Sequence, residues 1–183
     1  VALAVNEFQL LLVQLAADLG IKIDRLLASM NRLSKDEALA FITEAYPELA
    51  RAYLAASGEL SVQFYNEQPT TSSFAAQSVD LIADERLAAS ARWALLQKDS
   101  SQAFAGTAER SVMDQSRQTI LENLSTEYGS AATEPGTMWA RHASANACSF
   151  CRLLATRGAV FHSESSATRV GGRGKDQSTN FRA

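Results

Sequence analysis

The sequence predicts a mainly α-helical protein, an N-terminal helical bundle or set of extended helices followed by a small α+β module at the C-terminal end. Apolar residues recur at intervals of three and four through most of the first 128 positions, the period of a helix with one buried face. Turn-forming residues concentrate at 66–73 and 129–136, which mark breaks between helical stretches. Beyond Pro135 the pattern changes to short apolar runs around two cysteines.

The first helix is expected over residues 3–19, with Phe8, Leu11, Leu12, Leu15 and Leu19 on one broad face and Gly20 as its stop. Residues 21–30 read as a short helical or irregular connection. Ser34 and Glu37 have the spacing of a capping box, which starts a second helix over 35–46. Pro47 suits the first turn of a third helix, where a missing N–H costs nothing. Leu49, Tyr53, Ala56, Leu60 and Phe64 draw an apolar stripe along that helix, and Gly58 weakens it by roughly 1 kcal/mol relative to Ala. After the loop at 66–73, helices are expected over 84–97, with Leu87, Ala91, Ala94 and Leu95 inward, and over 99–128, with Phe104, Ala108, Val112 or Met113, Ile120 and Leu124 inward. A strand at 137–143, a short helix at 148–156 stopped by Gly158, and a strand at 159–161 complete the chain. The organisation is therefore 1–66 N-terminal helical region, 67–136 central helical region, 137–168 Cys-x-x-Cys module and 169–183 flexible basic tail.

With 183 residues, 46% of them hydrophobic, the chain is large enough for a real core in one domain or two small ones. Its net charge of -3 excludes a generally basic nucleic-acid binder. Local basic patches are compatible with that charge, and Arg169, Arg173 and Lys175 make the tail a candidate nucleic-acid contact, although a mobile tail is the simpler reading. Two cysteines cannot build a disulfide scaffold, so synthesis in a reducing cytoplasm is expected. The apolar start lacks the basic region of an export signal, and beginning at Val1 it hints at a missing initiator end. No uninterrupted apolar run of about twenty residues is present, so no membrane span is expected.

Cys148 and Cys151 lie three apart between the two histidines, His142 and His162. On a helix the thiols share a face, where they can pack, join one metal or exchange as a redox pair. Tetrahedral zinc needs four protein ligands, or three plus water, and Cys148, Cys151 and His162 supply half a site. Packing is therefore preferred over metal binding, and redox chemistry ranks last because the βαβ context is missing. A nucleophilic cysteine with a histidine base is arithmetically possible, as it is in almost any chain. The glycine-rich 171–174 fails the Walker A pattern at Arg169 and Asp176. Glu44/Glu48 and Asp80/Asp84 read as solvated helix faces, and Trp93 and Trp139 as packing groups. Arg110 and Arg117 share a helix face and can pair with Asp114 or Glu109, or contact a partner.

Taken together, Trp139 and Arg141, Cys148 with Phe150 and Cys151, and Leu154, Arg157, Gly158 and Phe161 followed by Ser163 resemble the MuF-like minor capsid (head morphogenesis) proteins of tailed phages infecting actinobacteria. The stretches 64–67 and 86–93 and the helix bearing Arg110 and Arg117 look like the same family, so the resemblance spans roughly 45 to 165. It implies a structural, non-enzymatic virion protein inside the head near the portal vertex, made in the host cytoplasm and present in multiple copies. Its implied partners are the portal protein and, beyond it, the major capsid protein and packaged DNA, with no membrane. The family pattern continues into a His-x-x-Cys-x-Cys-like element that would complete a zinc site. The chain is accordingly expected to continue beyond Ala183. The competing readings are a cysteine-dependent capsid maturation protease and a metal-stapled nucleic-acid contact module.

Overall fold

In the computed structural model the described residues are 4–68, 73–128, 139–140 and 159–161. The predicted helical character holds: four α-helices, α1 (Val5–Ser29), α2 (Lys35–Asn66), α3 (Asp84–Leu95) and α4 (Ser100–Tyr128), account for most of them. Two short strands follow, β1 (Trp139–Ala140) and β2 (Ala159–Phe161), paired antiparallel with Trp139 opposite Phe161. Val1–Asn123 and Leu124–Ala183 form separate compact units, the core described below belonging to the first. The intervening part of the predicted C-terminal module, including its Cys-x-x-Cys helix, lies outside the described residues.

The first helix is longer than predicted. α1 does not stop at Gly20 but continues to Ser29, because its buried line of Phe8, Leu12, Ala16 and Leu19 goes on to Ile23. Extending a helix that already has a buried face adds hydrogen bonds without a new nucleation cost. Leu11, expected inside, is exposed. At the start, the Glu7 carboxylate accepts the Ala4 N–H at 3.2 Å, and an acid there also suits the positive end of the helix dipole.

The next two predicted helices are one. The capping box forms as expected, with Glu37 N–H donating to Ser34 Oγ at 3.4 Å and Ser34 N–H to the Glu37 carboxylate at 2.8 Å. These bonds hold the Glu37 carboxyl below its ordinary pKa. α2 then runs through Pro47, which is itself buried. An interior proline removes a backbone hydrogen bond and costs about 3 kcal/mol. The line Ile42, Tyr46, Ala50 and Leu54, each fully buried, offsets that, since each large apolar side chain taken from water contributes about 1.5–3 kcal/mol. Further along, the inward face is not the predicted stripe. Ser57, Gly58 and Ser61 are buried, whereas Leu49, Tyr53, Leu60 and Phe64 flank the core and Ala56 is exposed.

α1 and α3 pack on α2. Phe8 stacks on Phe64 with ring centroids 4.2 Å apart, joining the start of α1 to the end of α2. Arg51 of α2 grips Asp84 at the start of α3 side-on, its Nε and Nη2 each donating to one carboxylate oxygen. α4 reaches α2 through the Tyr46–Phe104 ring pair at 5.8 Å, and α1 through Ser101 Oγ donating to Asp24 at 2.8 Å.

Candidate functional site

Two features of the helical unit go beyond packing. The first is a polar seam. Ser57 Oγ donates to the Val112 carbonyl at 2.7 Å, and Ser61 Oγ lies within 2.7 Å of both the Ser57 carbonyl and Ser116 Oγ. Farther along α4, Ile120, expected inward, packs against the core half-buried and Leu124 is half-buried as well, while Gln115, Thr119 and Asn123 are buried. Their purpose is visible in residues 73–83, an extended strap without regular secondary structure that leads into α3. Gln115 accepts the Ile82 N–H at 3.0 Å and donates to the Asp80 carbonyl at 3.2 Å. Asn123 does the same for both backbone groups of Gln77 at 2.8 Å. Asn66, the last residue of α2, accepts the Ala76 N–H at 2.8 Å. Carboxamides thus replace a neighbouring strand, because an amide side chain carries the same donor and acceptor as a peptide unit. Gly58 belongs to this arrangement, since a Cβ there would collide with Ser78 Oγ where the strap crosses α2.

The second feature is a groove of about 420 Å³ between α3 and α4, open to solvent. Arg86, Ser90 and Trp93 recur on one side of α3, and Thr107, Arg110, Ser111 and Asp114 on one side of α4, over a floor of Ile82 and Leu87. Trp93 is not a packing group as predicted; 53% of it is exposed. Asp114 is shared, with Arg117 at 3.2 Å and Arg86 at 3.6 Å. Arg110 has no carboxylate partner among the described residues, so the two arginines expected to behave alike do not. The hydroxyls are committed: Ser90 to the Arg86 carbonyl at 3.0 Å, Thr107 to Ala103 at 2.9 Å and Ser111 to Thr107 at 2.9 Å.

Nothing in these two features assembles a nucleophile with a base. Glu44 and Glu48 are exposed; Asp80 lies in the strap rather than on a helix, while Asp84 is held by Arg51. Among the described residues no group of three or more His, Cys, Asp or Glu could hold a metal, and no helix is long and apolar enough to cross a membrane.

A family model described as VG15 protein matches residues 2–177. The chain belongs to this family. VG15 is a viral gene product family, which makes this a phage-encoded protein. No curated protein and no solved structure matches the chain. The VG15 match spans both the helical unit and the segment with Cys148 and Cys151.

Within that C-terminal segment, the structure brings Trp139 and Phe161, two of the motif residues, opposite one another in the β1–β2 register. Arg141, Cys148, Phe150, Cys151, Arg157, Gly158 and His162 lie outside the described residues, as do Arg169, Arg173 and Lys175 of the tail. The groove and the strap were not identified as sites by sequence reasoning. The signal for the groove was present in Arg86, Ser90 and Trp93, at spacings of four and three, facing Arg110 from the next helix.

Proposed function

We propose that this VG15 protein is a minor structural component of the phage head that binds the portal vertex from inside and assists capsid assembly and DNA packaging or retention. The observation that carries the reading is the phage family match across residues 2–177, which includes the cysteine-centred motif that resembles MuF-like minor capsid proteins. A scaffold of long helices with an open, charged groove supports a binding role over a catalytic one, since a substrate site is ordinarily a concave pocket with convergent polar groups.

The test is a portal pull-down with the purified full chain, joined to electron cryomicroscopy of heads from wild-type phage and from a phage lacking the protein. Direct portal binding and defective packaging are expected. Heads that fill normally without the protein, or density placing it away from the portal vertex, would overturn the reading. Cys148→Ser and Cys151→Ser are expected to leave the major capsid protein processed as in wild type; an unprocessed capsid protein would move the assignment to a protease.

A further inference from the structure

We infer that the α3–α4 groove docks an acidic segment of a protein partner, seating carboxylates on Arg86 and Arg110 and an apolar side chain against Trp93. On the reading above, that partner is the portal protein. Three observations carry the inference. Trp93, which lines the groove, is 53% exposed, and Leu96, one turn further along the chain, is 54% exposed, so two large apolar groups stay in water. Beside them the groove lining carries two guanidiniums, Arg86 and Arg110, against the single carboxylate of Asp114, in a chain whose net charge is -3. That carboxylate is already engaged by Arg117, and Arg86 reaches it only at 3.6 Å, leaving both lining arginines able to take an incoming anion.

The number of positive charges decides which kind of anion fits. Ser90, Thr107 and Ser111 are each already bonded to a carbonyl within their own helix. A phosphodiester needs donors along its length and repeated positive charge. Here the positive charge is two guanidinium forks, Arg86 and Arg110, beside the Trp93 indole N–H, which suits one or two planar carboxylates next to an apolar side chain rather than a charged backbone repeating along a strand. Tryptophan and arginine adjoining each other are also the residues that dominate binding energy at protein interfaces.

The experiment uses the full chain, the portal protein of the same phage, a synthetic Glu-Glu-Leu-Phe-Glu-Glu peptide and a twenty-nucleotide oligo-dT. Affinities are measured for wild type, Trp93→Ala and the double variant Arg86→Glu/Arg110→Glu, with circular dichroism to verify that these surface changes leave the helices intact. Portal and peptide are expected to bind wild type with a blue shift of Trp93 fluorescence that Trp93→Phe lacks. Both variants are expected to lose about tenfold or more in affinity. Portal binding that neither variant weakens would overturn the groove assignment while leaving the portal reading intact. Peptide binding that both variants weaken, with no portal binding, would uphold the groove and remove the portal as its partner. Binding of oligo-dT that the double variant abolishes, with neither protein probe bound, would overturn the inference in favour of nucleic acid.

Discussion

The two ends of α2 bury opposite kinds of surface. Between Ile42 and Leu54 the helix faces α1, α3 and Phe104 with large apolar side chains; from Ser57 to Ser61 it faces α4 and the strap with hydroxyls and a glycine. The first end gains from area removed from water, which tolerates small displacements. The second relies on paired donors and acceptors, where a lost partner leaves a buried group unsatisfied. One helix therefore joins a forgiving core to an exacting seam.

The largest expected effect comes from the apolar end. Phe104 is fully buried against Tyr46, and Phe104→Ala should destabilise the protein by about 4 kcal/mol through lost transfer energy and the cavity left behind. Urea unfolding would measure it, and a loss below about 1 kcal/mol would mean that this end is loosely packed. Gln115→Leu keeps volume but strips the strap of the partners for Ile82 N–H and Asp80 C=O, for an expected loss of about 3 kcal/mol. Its signature should be local, with amide exchange rising at Ile82 ahead of the core helices. Uniform exchange across the chain would show that the strap and the core are one cooperative unit.

Tyr46 belongs to the apolar end, yet its hydroxyl meets the Ser111 hydroxyl of α4. Burial pushes its phenol above the ordinary 10.0, against the smaller opposing pull of the Ser111 hydroxyl at 3.5 Å. A raised folded pKa means that its contribution is complete below pH 10 and is lost as pH climbs through the folded value. Tyr46→Phe should change stability at pH 7 by less than about 1 kcal/mol and flatten the decline above pH 10. Unfolding midpoints on either side of that pH would show it, and parallel curves for the two proteins would refute it. The smallest effect belongs to Gly58→Ala. The helix gains about 1 kcal/mol in propensity, and Ser78 must turn its hydroxyl aside, so the net change should stay within about 1 kcal/mol. Gly58→Leu, which no hydroxyl rotation accommodates, should instead release the strap.

Sequence reading recovered what periodicity encodes. The helical segments over 35–46, 84–97 and 99–128 appear near their expected places, as do Leu87, Ala91, Phe104, Ala108 and Val112 in the core. It failed where local signals were outvoted. Gly20 and Pro47 are helix breakers by propensity, yet buried side chains continue on both sides of each and carry the helix through. The polar seam was illegible for a different reason. A count of apolar residues gives Ser57, Ser61, Gln115 and Asn123 no weight, and the partners that explain why they are inside, α4 for the serines and the strap for the amides, are distant in sequence. Trp93 shows the converse: a large aromatic is assigned to the interior by default, and its exposure follows from a neighbour that sequence spacing alone does not reveal.

The amides that clamp the strap have one more property. Gln115, Asn123 and Asn66 carry no ionisable group, so protonation cannot take their hydrogen bonds away. Dissolved ions screen the exposed Arg51–Asp84 pair, but they have little hold on neutral bonds beneath the surface. As ionic strength rises, the attachment between α2 and α3 at that pair should weaken first, leaving α3 held by its buried Leu87, Ala91 and Ala94 and tethered by the strap.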